Sequence, residues 1–277
     1  MVFFPLSPPR PGKNMLTGKT RGTSEFLQEM RTQGWSRFDS IVPQDELGRL
    51  REALDEACRL CGEVQQRKGL TNIEGTAHHV LMFEGPFMDF LARYYLDAQI
   101  EAFFQSKYIL NSFGAVVTHK EATSYAMNLH RDVRTFTGEF KLIMNLLLML
   151  DDFTLENGAT YLLSGSHSHP ERPSPHTFEQ EAYRLTGTAG TICLFDSNLW
   201  HAAGQNLTNM PRRAITLTFS KGLVKPQFDY IRFFGEDRVA KMDPRLRQML
   251  GWDARTPASL DEWYQPTETR LYKPGQD

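Results

Sequence analysis

Gly190-Thr-Ile-Cys-Leu-Phe-Asp-Ser-Asn-Leu-Trp-His201, followed eleven residues on by Arg212-Arg-Ala-Ile-Thr-Leu-Thr-Phe219, is the stretch on which the fold turns. The first segment leaves a glycine turn, runs as an apolar strand and delivers a histidine at its far end. The second alternates polar and apolar side chains in its latter half, the period of a strand with one covered face, and reads as the next strand. A strand that ends on histidine puts that side chain at the rim of a β structure, where a site can form.

Outward from this pair, strand signals dominate from Ile109 to about Lys221, with turns at Glu156-Asn-Gly158 and Thr186-Gly187. The segment Phe140 to Leu150 is apolar on both faces except for Lys141 and Asn145, so Asn145 stands out as a buried amide that needs partners. Towards the N-terminus the period changes. Ser24 is placed to cap a short helix that stops with Gly34 at C′, a strand follows from Trp35 to Ile41, and Pro43 stands where a helix can begin. Leu47, Leu50, Leu54, Cys58 and Cys61 then recur at steps of three and four, and apolar positions between Phe87 and Phe104 do the same. Helices first and an antiparallel β core after them give an α+β, mainly β, class: a double-sheet jelly roll flanked by helices. Residues 1–20, rich in Pro, Gly and basic side chains, read as a mobile leader. One domain is expected over 21–277, with a C-terminal extension from about 245.

Composition narrows the partners. A net charge of −2 leaves no broad basic face, which disfavours nucleic acid and anionic membranes. The longest apolar run, Leu142 to Leu150, is far short of the roughly 18 residues of a membrane span, and no signal-peptide pattern opens the chain, so a cytoplasmic location is expected. Three cysteines make no disulfide framework, and Cys58-x-x-Cys61 lacks a second pair for zinc.

The chemistry-bearing residues lie in and before the opening stretch. In the extended segment Met127-Asn-Leu-His-Arg-Asp132, residues two apart share a side, so His130 and Asp132 can grip one ion. A lone His-x-Asp arises easily by chance, and it is the distal His201 that completes a ligand set. Two imidazoles and one carboxylate leave three positions open on a metal, the arrangement of non-haem Fe(II) oxygenases. Arg212 offers a fork that holds a carboxylate through two parallel hydrogen bonds; its neighbour Arg213 competes for the role, since adjacent strand residues face opposite sides, and spacing from His201 favours Arg212.

These four residues resemble the phytanoyl-CoA dioxygenase family of Fe(II)/2-oxoglutarate enzymes. Asp152-Phe-Thr-Leu-Glu-Asn-Gly158-Ala followed by Leu163-Ser-Gly-Ser-His167 is similar to that family's turn between core strands, and Gln33-Gly-Trp-Ser-Arg-Phe resembles its opening strand, a likeness over residues 24–225. The resemblance implies a double-stranded β-helix, cupin-like core, Fe(II) held by His130, Asp132 and His201, and 2-oxoglutarate and O2 as cosubstrates with the remote carboxylate on Arg212. It further implies hydroxylation of an unactivated C–H bond of a small-molecule metabolite or natural-product intermediate, releasing succinate and CO2. Ala203 departs from relatives that carry a cosubstrate-touching Ser there; Thr118, on the strand before His130, is the candidate replacement. Asp132 stands where related halogenases have a small residue, which favours oxidation over chlorination.

Arg131, Arg134 and Lys120 form either a positive rim suited to an anionic substrate or a merely solvated edge. The segment Pro170 to Tyr183 reads as a loop crossing the mouth, a natural lid or a solvated connection. Two rival functions stay open: a cupin-like metal enzyme that does not use 2-oxoglutarate, and a non-catalytic jelly-roll binding protein. Oligomeric state has no sequence signature here.

Overall fold

The computed structural model describes residues 22–71, 73, 75–120 and 124–276. The leader expected over 1–20 lies outside the described residues. Helix α1 (Thr23–Thr32) begins one residue before Ser24, because the Gly22 carbonyl already accepts the Phe26 N–H; Ser24 therefore sits inside the helix and caps nothing. Gly34 takes φ +82° just past the helix, as expected at C′. Strand β1 (Trp35–Phe38) is shorter than expected, since Ser40 adopts φ +54° and ends it. Helix α2 (Gln44–Arg67) runs past the expected Cys61 and buries Leu47, Leu50 and Leu54 completely. Removing any one of those leucine side chains would cost about 2–5 kcal/mol in transfer and cavity terms. After β2 (Thr76–Ala77), the expected helical region divides into α3 (Pro86–Leu91) and α4 (Asp97–Phe104), because Tyr94 and Leu96 take positive φ between them.

The β core follows as β3 (Ile109–Thr118), β4 (Ile143–Met149), β5 (Thr160–Leu162), β6 (Tyr183–Leu185), β7 (Ile192–Asp196), β8 (His201–Ala202) and β9 (Arg212–Ser220). A six-stranded sheet has the order β1-β7-β4-β9-β3-β2 and a three-stranded sheet the order β6-β5-β8. Their pairings are antiparallel throughout, the jelly roll expected. Strand β4 is apolar on both faces because both are covered. Met144, Leu146 and Leu148 join the cluster that includes the leucines of α2, whereas Leu147 and Met149 join the inter-sheet cluster with Leu162 and Leu185. The same alternation splits β9: Ile215, Leu217 and Phe219 lie with the helices, while Arg212, Ala214, Thr216 and Thr218 line the cavity between the sheets.

Between β5 and β6 the segment expected as a loop contains α5 (Pro175–Glu181), capped by Ser174, whose hydroxyl accepts the Thr177 N–H at 3.0 Å. Beyond β9 come α6 (Tyr230–Phe234), α7 (Glu236–Val239), α8 (Pro244–Met249) and α9 (Leu260–Trp263). Leu246, Met249 and Leu250 pack into the main core, whereas Trp263 and Tyr264 are exposed. Among the described residues no helix is long and apolar enough to cross a membrane.

Candidate metal centre

His130 and His201 are partners in one antiparallel bridge: each backbone N–H donates to the other's carbonyl, at 3.0 and 2.9 Å. Directly opposed residues project to the same side of a sheet, so the bridge brings two imidazoles together from positions 71 apart, their ring centroids 4.2 Å from each other. Asp132, two residues along, falls on that side as well. Its carboxylate oxygens lie 3.6 Å from His130 Nε2 and 3.6 Å from His201 Nε2, and all three candidate donors are within 4.8 Å of one another. The far histidine reaches this point through a turn in which the Asp196 carbonyl accepts the Leu199 N–H, while its carboxylate accepts the Asn198 N–H and the Lys141 ammonium.

Each ring is fixed in the same manner. His130 Nδ1 is 2.6 Å from the Asn128 carbonyl and His201 Nδ1 is 2.9 Å from the Leu199 carbonyl. A carbonyl only accepts, so Nδ1 carries a proton in both rings and Nε2 is the nitrogen presented towards Asp132. Burial, only partly opposed by the Asp132 charge, pulls His201 down to about 4, so its imidazole is neutral near pH 7. Asp132 is held in turn by Asn145, whose amide donates to Oδ2 at 2.7 Å and to the Ser197 hydroxyl at 3.1 Å, while its carbonyl accepts the Thr218 hydroxyl at 3.0 Å. The lone amide of the apolar strand is thus fully partnered, and one partner is a candidate ligand.

The three donors face a cavity of about 260 Å³ between the sheets that also takes in Arg212 and Ala203. Arg212 is only 2% exposed. Its Nε donates to the Thr118 hydroxyl at 3.1 Å, its guanidinium lies 4.2 Å from the Phe153 ring centre, and Nη2 has no partner. Burial without a counter-ion in contact pulls the group down to about 10. Such a donor is costly to leave unpaired, and a carboxylate is the acceptor that suits its fork. Arg213 points the other way and pairs with Asp55 and Asp151 at 3.0 and 3.3 Å. Thr118, opposite Arg212 in the β3–β9 register, is absent from the cavity lining: its hydroxyl is engaged by Arg212.

Other expectations for the rim are placed differently. Arg131 turns onto the Trp200 ring at 4.3 Å and donates to the His169 carbonyl, and Lys120 donates to Asn209; neither they nor Arg134 line the cavity. No residue of 170–183 lines it either, and Arg172 donates to the Leu129 carbonyl instead. Among the residues that do line it, His78, His79, Tyr125 and Gln227 carry no periodic signal. Their sequence clue was a His-His pair in an aperiodic stretch.

A double-sheet jelly roll that presents two imidazoles, a carboxylate and a buried guanidinium to one cavity is a fold-and-site class in itself. Comparison names the family: a model for phytanoyl-CoA dioxygenase (PhyH) matches residues 30–214, and the chain belongs to that family. It is 36% identical over 172 residues to the uncharacterized protein Rv1501 of Mycobacterium tuberculosis, covering 62% of each chain. To the dioxygenase cdmA of Talaromyces verruculosus it is 30% identical over 146 residues, 49% of this chain and 48% of that one. Less than two thirds of either relative's length is therefore spanned. Among solved structures, the epimerase SnoN in complex with Fe3+, alpha ketoglutarate and nogalamycin RO superposes with a TM-score of 0.56 at 16% identity, over 72% of this chain and 83% of that one. That likeness establishes the fold.

Proposed function

We propose that this protein is an Fe(II)- and 2-oxoglutarate-dependent oxygenase that hydroxylates an unactivated C–H bond of a small molecule, with release of succinate and CO2. The observation that carries the reading is the convergence on one cavity of His130, Asp132, His201 and Arg212, whose buried Nη2 has no partner. Support comes from the family, from relatives named dioxygenases and from a neighbour that holds iron and alpha ketoglutarate. Bound ferrous iron would supply O2 activation, coupled to oxidative decarboxylation of the 2-oxo acid.

The chain's own residues supply position and electrostatics. His130 and His201 present Nε2 as the ligating nitrogen because their Nδ1 atoms are committed to backbone carbonyls, and Asp132 contributes the single negative charge of the set. Asn145 fixes which way that carboxylate faces. Arg212, held by Thr118 and Phe153, binds the remote carboxylate of 2-oxoglutarate and so orients the 2-oxo acid end towards the three donors. Leu147, Phe195 and Ala214 wall the cavity with apolar surface that limits water at the reacting carbon. Asp132 keeps the third protein ligand in place, which supports hydroxylation over halide transfer. The buried Arg212 Nη2, left without an acceptor, suits a dicarboxylate cosubstrate, and this disfavours a metal enzyme that uses none.

The test is anaerobic reconstitution with Fe(II) and 2-oxoglutarate, followed by admission of O2 with a metabolite library. Succinate release coupled to O2 uptake, absent in Asp132→Ala, is the expected result. A reconstituted protein that consumes O2 without forming succinate would reject the reading.

A further inference from the structure

The cavity lining falls into two chemically distinct groups. One is the three candidate ligands with Arg212; the other is His78, His79, Tyr125, Asn111, Gln227 and Phe113. Among the described lining residues the formally charged side chains are Asp132 and Arg212, and both belong to the first group. Desolvation shifts both the His78 and the His79 imidazoles downward from their ordinary value, which favours their neutral forms. The basic side chains that flank these residues in sequence, Lys107, Lys120, Arg131 and Lys225, are not among the lining residues, and Lys120 and Arg131 are engaged elsewhere.

The second group also has flat faces in fixed orientations. The His79 ring is stacked on Phe228, with 4.8 Å between centroids and 25° between planes. His78 Nε2 is 3.0 Å from the Tyr125 hydroxyl, and the two rings lie within 16° of parallel. His79 adopts φ +56°, a conformation that an ordinary residue takes at a cost, so the backbone is held to place this ring.

We propose that this second group forms the subsite for the molecule to be oxidised, and that it takes an uncharged, ring-bearing compound with a hydroxyl or carbonyl group in preference to an acid, a phosphate or a thioester of a phosphorylated carrier. The inference rests on the reading above in one respect: the Arg212 fork is taken by 2-oxoglutarate, leaving no cation among the described lining residues for a second anion. An anion entering beside these residues would give up its hydration with no described lining cation to replace it, whereas a neutral ring meets aromatic faces and neutral hydrogen-bonding groups. The substrate is thus distinguished from the cosubstrate by charge.

Two probes of one ring system decide it: 2-naphthol, neutral at pH 7, and 2-naphthoate, its anionic counterpart. The full-length protein is loaded with Mn(II), and 2-oxoglutarate is titrated first by calorimetry, which tests the cosubstrate reading independently. With 2-oxoglutarate saturating, each naphthalene is then titrated. We expect 2-naphthol to bind at least tenfold more tightly than 2-naphthoate, and His79→Ala to weaken 2-naphthol at least tenfold while leaving the 2-oxoglutarate titration unchanged. Naphthoate binding as tightly as naphthol, no binding of naphthol, or naphthol binding indifferent to a folded His79→Ala would each overturn the proposal. If His79→Ala does not fold, the wild-type comparison of the two probes stands alone as the test. Failure of 2-oxoglutarate to bind rejects the cosubstrate reading; the naphthol comparison of wild type with His79→Ala, repeated without it, still judges the subsite.

Discussion

The Asn145 amide donates to Asp132 Oδ2 over 2.7 Å, from the centre of the core sheet to a carboxylate on an irregular segment 13 residues earlier. Asp132 is more than a third exposed, so this bond, with the backbone bridge of His130, is what keeps it aimed at the imidazoles. Partners of this kind, behind a ligand, typically change metal affinity by about 10–100-fold when removed. Asn145→Ala is therefore expected to weaken Mn(II) binding by roughly that factor. It also leaves the Thr218 hydroxyl without its acceptor, so thermal melting of the metal-free protein must accompany the titration. An unchanged Mn(II) affinity would reduce Asn145 to a filler of the core.

Arg212 and Arg213 separate by face. Arg212→Ala would leave the remote carboxylate of 2-oxoglutarate in a buried position without its partner, a loss of about 2–5 kcal/mol that raises the KM for 2-oxoglutarate by tens-fold or more. Arg212→Lys should rescue little, lacking the planar fork. Arg213→Ala breaks partly exposed ion pairs to Asp55 and Asp151, so it should cost roughly 1 kcal/mol of stability or less and leave that KM alone. Steady-state kinetics in varied 2-oxoglutarate distinguish the pair, and the reverse pattern would assign the anchor to Arg213.

Burial holds His201 near 4, against 6.5 for an unburied imidazole. Between those values the unfolded chain carries a proton that the native state lacks. The unfolded state then binds more protons, and stability rises with pH: it is intact above about 6.5, erodes as pH falls, and has lost this contribution below about 4. The shift corresponds to a loss on the order of 3 kcal/mol in the metal-free protein. His78 and His79, also lowered by burial, act in the same direction. Urea unfolding of metal-free wild type and His201→Phe at several pH values isolates the residue, and the variant should show the shallower decline. Equal declines would mean that His201 is not the group responsible.

The candidate ligand trio and Arg212 could be picked out in the sequence because each has a local signal: His-x-Asp by its two-residue spacing, His201 and Arg212 by their places at strand ends. Fold class was legible for a similar reason, since the change from steps of three and four to strand patterns lies on the page. Asn145 was visible as a polar residue in an apolar strand, yet its partner was not, because the bond to Asp132 depends on how an irregular segment crosses the sheet. Thr118 illustrates the same limit. Its strand was recognisable, but only the β3–β9 register shows that its hydroxyl meets Arg212. The second group of lining residues was least legible, since His79 owes its position to a left-handed backbone and a stack on Phe228, almost 150 residues away.

Gly190 opens the strand that leads to His201, and its surroundings make a test of how tightly that strand is anchored. Its carbonyl accepts the N–H groups of Ile41 and Val42, and its own N–H donates to Met149, so backbone encloses it on two sides. It has φ +90°, and an added Cβ would stand 2.5 Å from the Val42 carbonyl oxygen, a backbone atom that cannot rotate away. Gly235 also has a positive φ, +85°, but a Cβ there meets nothing within 4 Å. Gly235→Ala therefore reports the conformational penalty alone, about 1 kcal/mol or somewhat more. Gly190→Ala should exceed it by roughly 1–3 kcal/mol, the cost typical of overpacking a well-filled site. Because any shift of Val42 also moves the start of α2 and the register of β7, the Mn(II) affinity of Gly190→Ala should fall while that of Gly235→Ala does not. Equal losses of stability in chemical denaturation would show that the β1–α2 connection yields freely, and that the strand carrying the distal histidine is held from its other neighbours.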